Sequence, residues 1–95
     1  MESIRIIGAK EIDFIIKFIL DVQGGGSARI KINNLPFSPP FPKAVFFISP
    51  ETYIFSYEII SGTFDRWIVN GEHITLHTFS FIPSQSENTI ILRVL

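Results

Sequence analysis

The chain has 95 residues, 46% of them hydrophobic, and a formal net charge of −1. This length corresponds to a single domain over residues 1–95, and the scattered charges exclude the basic stripe that neutralises nucleic-acid phosphates. The absence of cysteine excludes disulfides and thiolate chemistry, and no apolar run reaches the roughly 18–20 residues needed to cross a bilayer. We therefore expect neither nucleic-acid binding nor membrane insertion.

Isoleucine and phenylalanine dominate the composition, with 18 and 10 residues. β-Branched and aromatic side chains pack well on a pleated surface, so this composition predicts an all-β fold. A domain of this size has a thin core that cannot hold every apolar side chain. The excess predicts an exposed apolar surface and hence a homo-oligomer.

The first third of the chain predicts strands and a glycine turn. Residues 3–8 and 10–22 alternate in hydrophobicity, and the second segment is the clearest strand. A helix over 10–22 is the weaker interpretation because its charges leave apolar residues on nearly every side. Residues 24–26 are three glycines, which predict a hairpin turn into a strand over 28–33.

A proline-rich segment follows at residues 35–42, with four prolines in eight positions. Proline has no N–H to donate, so Pro36 is expected to end the ladder and the segment to run irregularly at an edge. Phe37 and Phe41 are expected to pack back onto the core. Residues 43–49 are apolar on both sides, which predicts a central strand covered on both faces.

The second half predicts four more strands separated by short turns. Asn70-Gly71 is the strongest hairpin signal. A slip in the apolar phase between Thr78 and Phe79 predicts a β-bulge. The predicted strands cover residues 52–60, 64–69, 72–82 and 89–95. With about eight strands in all, we expect an antiparallel β-sandwich of jelly-roll-like or immunoglobulin-like topology.

The chemistry-bearing residues give little support for catalysis. His73 and His77 lie four apart, which on one strand separates them by about 13 Å, too far to hold one metal ion. Asp65 and Glu72 flank the Asn70-Gly71 turn, and a glycosidase carboxylate pair is the enzymatic alternative to two solvated surface groups. No Gly-x-Ser-x-Gly elbow is present. We predict a non-enzymatic protein without a metal or cofactor.

The candidate ligand-binding residues cluster around the only tryptophan. Flat aromatic faces with polar tips suit sugar stacking, which favours Trp67 and Tyr53. Asp65, Arg66 and His73 are the neighbouring polar candidates. Packing in the core or in a subunit interface is the preferred alternative for Trp67.

Five apolar residues fall on strand faces opposite the expected core. Such side chains are poorly placed in a monomer and well placed between subunits, where assembly also covers strand edges. The predicted oligomer interface consists of Ile7, Ile15, Ile19, Ile91 and Leu95.

The order of features over the first forty residues resembles that of the C-terminal β-sandwich tip domains of bacteriophage tail fibres and tailspikes. The matching segments are Arg5-Ile6-Ile7-Gly8, Ile12-Asp13-Phe14, Gly24-Gly25-Gly26-Ser27, Ala28-Arg29-Ile30 and Leu35-Pro36-Phe37. The resemblance implies a homotrimer at the tip of a virion fibre that attaches to a host-surface glycan or protein, and it supplies no catalytic residues. The high isoleucine content and the proline run depart from that pattern.

The alternative is a small free-standing β-sandwich that binds another protein, such as a viral host-takeover factor. In the fibre-tip interpretation, the receptor-contacting loops are expected at residues 23–27, 65–72 and 84–88.

Overall fold

A computed structural model describes residues 15–48 and 51–95, and these residues form two packed β-sheets. No helix capable of crossing a membrane occurs within them. The five-stranded sheet has the order β4-β1-β9-β6-β7, and the four-stranded sheet has the order β3-β2-β5-β8. The nine strands are β1 (Ile16–Gln23), β2 (Ser27–Ile32), β3 (Leu35–Phe37), β4 (Lys43–Phe47), β5 (Tyr53–Ser61), β6 (Phe64–Val69), β7 (Glu72–Ile74), β8 (Phe79–Phe81) and β9 (Glu87–Val94). The expected all-β sandwich is confirmed.

One strand pair departs from the antiparallel expectation. β1 and β9 run parallel, with Lys17 opposite Glu87 and Gln23 opposite Arg93. All other pairings are antiparallel in the part of the chain that the structure describes. β1 and β9 are the two longest strands of the five-stranded sheet, and they lie side by side in its interior, hydrogen-bonded to each other.

The core lies between the sheets and follows the alternation read from the sequence. In β1, Ile16, Phe18 and Leu20 are fully buried, as expected, and the intervening residues point outward. Phe18 packs edge-to-face against Tyr53 and Phe55 of the facing sheet, each with ring centroids 5.2 Å away. Edge-to-face geometry brings a positive ring edge to a negative ring face, so these contacts add to the hydrophobic stabilisation.

The triple glycine is not a hairpin turn, contrary to the sequence prediction. It carries the chain from β1 in one sheet to β2 in the other. Gly24 has φ +103°, and a Cβ atom built on it would lie 2.1 Å from the carbonyl oxygen of Val94. Glycine is therefore required by a close approach to the end of β9 as well as by the backbone conformation.

The prediction that Pro36 ends the ladder is also wrong. Asn33 and Asn34 both have positive φ and form a tight turn, after which Pro36 lies in β3 opposite Lys31. β3 is an edge strand, where a residue without an N–H is tolerated. Phe37 and Phe41 pack against the core, as expected.

The segment predicted as a central strand over 43–49 forms β4, which lies at the edge of the five-stranded sheet among the strands that the structure describes. Phe46 is 60% exposed and Ile48 is 74% exposed, whereas Val45 and Phe47 pack toward the core. Among the described residues, the outer side of this strand is therefore an exposed apolar surface, and no second layer packs on it.

The predicted strand over 72–82 is two strands in different sheets. β7 pairs with β6, whereas β8 pairs with β5 in the facing sheet. The slip in apolar phase between Thr78 and Phe79 therefore marks a crossing between the sheets, and the predicted bulge is wrong. The Asn70-Gly71 hairpin is confirmed, with φ values of 49° and 87° that suit its tight turn.

Candidate functional site

A β-bulge at the start of β6 places two consecutive polar residues on the outer face of the five-stranded sheet. Phe64 pairs with Val94 and Arg66 pairs with Arg93, which leaves Asp65 as an extra residue. Bulges of this kind re-aim side chains that strict alternation would send inward. Trp67 then resumes the inward direction and is fully buried.

The bulge brings together four polar side chains, which we term the ionic cluster: Asp65, Arg66, His73 and Arg93. One carboxylate oxygen of Asp65 accepts from the Nε atoms of Arg66 at 2.9 Å and of Arg93 at 3.1 Å. Arg66 also donates from Nη1 to the Nδ1 atom of His73 at 3.2 Å. The Asp65 side chain is 22% exposed, so its two ion pairs are less screened by water than those of a fully exposed carboxylate.

The ionic cluster lines an open depression of about 400 Å³. Ile68 and Leu95 complete its lining and supply apolar surface beside the charged groups. Apolar surface with a few convergent polar groups is the usual character of a small-ligand site.

Three of the five sequence-predicted ligand-binding residues meet in this depression: Asp65, Arg66 and His73. The other two, Trp67 and Tyr53, are fully buried between the sheets. The Trp67 indole donates to the backbone carbonyl of His77 at 3.2 Å. Neither ring presents a face to an external ligand, so the proposed stacking role of these two residues does not fit their positions.

Arg93 belongs to the site although sequence reasoning did not select it. Ile91 and Leu95 were assigned to the outward face of the last strand, and Arg93 lies between them at the same period of two. That alternation was the available signal. Its proximity to Asp65 depends on the pairing of β6 with β9 and on the bulge, which the sequence alone does not reveal.

The two histidines occupy different surroundings. His73 lies on β7 beside Arg66, whereas His77 lies in the crossing segment before β8 and is hydrogen-bonded to the Tyr57 hydroxyl. The His77 ring also contacts Phe64, with centroids 4.6 Å apart. Among the described residues, no group of three or more side chains suited to hold a metal ion occurs.

The carboxylate pair considered for glycosidase chemistry is not brought together. Glu72 lies opposite Val69, four residues along β6 from Asp65. At the rise of a strand this separates the two positions by about 13 Å, beyond the spacing of either glycosidase mechanism.

Four of the five residues predicted for an oligomer interface are described by the structure, and they spread across the outer side of the five-stranded sheet. Ile15 is 57% exposed and Leu95 is 55% exposed, whereas Ile19 and Ile91 are half-buried. Ile7 lies outside the described residues. Leu95 borders the ionic depression, so it belongs with the candidate ligand site as much as with an interface.

A second feature of this face is a group of exposed apolar side chains at its other edge. We term Ile15, Phe46 and Ile48 the apolar corner; they are 57%, 60% and 74% exposed. Phe46 lies opposite Lys17, whose ammonium group is 6.0 Å from its ring centroid. Gln23 lies opposite Arg93 and is six positions beyond Lys17, which places the apolar corner about 20 Å from the ionic depression along the strands.

The three predicted receptor loops do not form one surface. The Asn70-Gly71 turn and the loop at 84–86 meet at one end, where Asn70 donates to the buried Asn88 at 3.0 Å and Asn88 donates to the carbonyl of Gln85 at 3.0 Å. The glycine segment at 24–26 lies at the opposite end, beside Val94. Most of the predicted loop over 65–72 is strand β6.

Comparison with known proteins found no matching family model, no matching curated protein and no matching solved structure.

Proposed function

We propose that this chain is a non-enzymatic assembly and attachment module, the β-sandwich tip of a viral tail fibre. In this proposal it forms a homotrimer and binds a host-surface glycan or protein, without nucleic acid, membrane insertion or a cofactor. The resemblance of the Gly24–Gly26 and Leu35-Pro36-Phe37 segments to such tips supplies the threefold symmetry and the virion location. The two-sheet fold is compatible with that assignment.

The observation that carries the proposal is the division of one sheet face into two surfaces. The apolar corner at the β4 edge offers exposed hydrophobic surface of the kind that subunits bury against one another. The ionic depression near the end of β9 offers polar and apolar groups of the kind that small ligands contact. Because the two surfaces lie at opposite corners, assembly through one leaves the other accessible.

The assembly half is tested by the mass of the protein in solution, measured by light scattering at micromolar concentration. We expect a trimer for the unmodified chain and a monomer for Ile48→Glu, because a charge at the apolar corner opposes burial. Ile54→Glu is the matched control, since Ile54 is a 49% exposed isoleucine on the outer side of the other sheet. A stable monomer of the unmodified chain would overturn the assembly proposal and favour a free-standing interaction protein.

The attachment half is tested by binding of the labelled protein to whole cells and to a glycan array. Binding to either supports attachment. The attachment proposal fails if neither the cells nor the glycan array retain more of the protein than of a denatured sample.

A further inference from the structure

The side chains of the ionic depression carry more positive than negative charge. Arg66 and Arg93 contribute two guanidinium groups and Asp65 contributes one carboxylate. Two neighbouring guanidinium groups favour an anionic ligand with oxygen acceptors.

Asp65 also orders the arginines for recognition. One of its carboxylate oxygens accepts from the Nε atoms of both guanidinium groups, at 2.9 and 3.1 Å, and so holds the two groups beside each other. Within the part of the chain that the structure describes, the Arg93 side chain makes no hydrogen bond or ion pair other than this one. Its terminal amino groups are therefore available for the paired hydrogen bonds that a guanidinium makes to a carboxylate.

The rest of the lining favours a ligand that is more than a carboxylate. Ile68 and Leu95 place apolar surface beside the arginines, and His73 supplies a ring with a second polar nitrogen. A sugar ring has an apolar face and hydroxyl groups at its edge, so an acidic sugar matches the charge, the apolar surface and the polar rim together. The volume of about 400 Å³ accommodates one monosaccharide.

We propose that the ionic depression binds a carboxylate-bearing sugar, with Arg93 and Arg66 contacting the carboxylate and with Ile68 and Leu95 beneath the ring. This inference rests on the proposed function for its source of ligand, a host-surface glycan, but its chemistry is tested separately. The site is open and shallow, so we expect weak binding of a single sugar, with Kd on the order of 1 mM.

The test is a titration of the isotope-labelled protein with D-glucuronate, followed by amide chemical shifts of β6 and β9, with D-glucose as the neutral probe. We expect saturable shifts near Arg66 and Arg93 for glucuronate and none for glucose. Screening by salt weakens such charge-assisted contacts at exposed sites, so raising NaCl from 20 to 300 mM is expected to weaken binding several-fold. Equal binding of glucose, or no binding of glucuronate at 20 mM salt, overturns the inference.

The matched variants are Arg93→Gln and Arg29→Gln. Arg29 is a similarly exposed arginine that pairs with Glu58 on the other sheet, so its loss removes the same charge without touching the depression. We expect at least a tenfold loss of glucuronate affinity for Arg93→Gln and less than a twofold change for Arg29→Gln. Equal losses for both variants would show a non-specific charge effect and overturn the site.

Two further arms separate the other outcomes. Arg93→Lys retains the charge but not the planar fork, so it is expected to lose several-fold in affinity and serves if Arg93→Gln does not fold. Tighter Arg93-dependent binding of inorganic phosphate or of a tetraglutamate peptide overturns the assignment to a sugar. Glucuronate binding without trimer formation or cell attachment would overturn the proposed function and leave this inference standing. Cell attachment that is unchanged in Arg93→Gln would overturn this site as the point of attachment and leave the proposed function standing.

Discussion

Tyr57 shows how burial of a single polar group makes stability depend on pH. Its ring stacks on Phe64 with centroids 4.8 Å apart, and its hydroxyl is hydrogen-bonded to His77. Burial disfavours the phenolate and so raises the pKa of Tyr57 above 10.0. Burial, and then the charge of Glu51, raise the pKa of Tyr53 in the same direction. Both tyrosines therefore resist ionisation more strongly in the folded chain.

This difference predicts a loss of stability at alkaline pH. Below about pH 10 both states hold the phenolic protons, so the tyrosine contribution is fully present. As pH rises above that value the unfolded chain ionises first, and the free energy of unfolding falls until the folded pKa is passed. Urea denaturation between pH 8 and 11 is expected to show a shallower fall for Tyr57→Phe than for the unmodified chain. Parallel curves would contradict this assignment.

The candidate site was predictable at the level of residue type and not of geometry. Asp65, Arg66 and His73 were selected as polar neighbours of Trp67, and these three meet in one depression. Trp67 was selected because its flat aromatic face suits sugar stacking, but it is fully buried, since one residue along a strand reverses the direction of the side chain. The bulge in β6 places Asp65 and Arg66 on the same face of the five-stranded sheet, and the local sequence does not predict that bulge.

The strands differ in importance according to their place in the sheet. β1 lies between β4 and β9, and its Phe18 is fully buried among Phe47, Tyr53 and Phe55. β4 forms the sheet edge, and its Phe46 is 60% exposed. The same residue type is thus a core element in one strand and a surface element in the next.

The two phenylalanines provide a matched test of this difference. Phe18→Ala is expected to lower the free energy of unfolding by about 3–5 kcal/mol, because it removes a buried ring and leaves a cavity. Phe46→Ala is expected to change it by no more than about 0.5 kcal/mol, since little of its ring is buried. Denaturant titration should be carried out at concentrations where each variant is monomeric, so that association does not contribute. Similar losses for the two variants would mean that β4 is covered.

The accuracy of the element predictions follows from how much each strand depends on distant contacts. The described part of the predicted strand over 10–22 matches β1 because alternate residues from Ile16 to Leu20 are buried, which imposes a period of two. The bounds of β6 match the prediction, although its bulge interrupts the alternation at Asp65. β4 was predicted to be central because an apolar strand at the edge of the described sheet has the same sequence pattern as a strand covered on both faces. The segment over 72–82 was read as one strand because a chain that changes sheets keeps its strand composition on both sides of the crossing.

At the scale of the whole molecule, backbone hydrogen bonds join the links between the two sheets to the C-terminal end of β9. The N–H of Gly26 donates to the carbonyl of Val94 at 3.0 Å, and Thr63 and Leu95 exchange two backbone hydrogen bonds of 2.8 and 2.9 Å. The links from β1 to β2 and from β5 to β6 both cross between the sheets at this point. Close packing of three backbone segments leaves no room for a Cβ atom at Gly24, Gly26 or Gly62.

Alanine substitutions of the adjacent residues Gly24 and Gly25 are expected to affect the free energy of unfolding differently. Gly24→Ala is expected to lower the free energy of unfolding by about 2 kcal/mol or more, because its positive φ is strained for alanine and its Cβ would lie 2.1 Å from a backbone oxygen that accepts from Gly26. Gly25 has no heavy atom within 4 Å of an added Cβ and no left-handed φ. Gly25→Ala is therefore expected to leave stability unchanged or to raise it by up to about 1 kcal/mol, since alanine restricts the unfolded chain. Urea denaturation of the two variants measures both effects. Equal destabilisation would mean that the crossing from β1 to β2 requires flexibility of the whole glycine run and not the close contact of Gly24 with Val94.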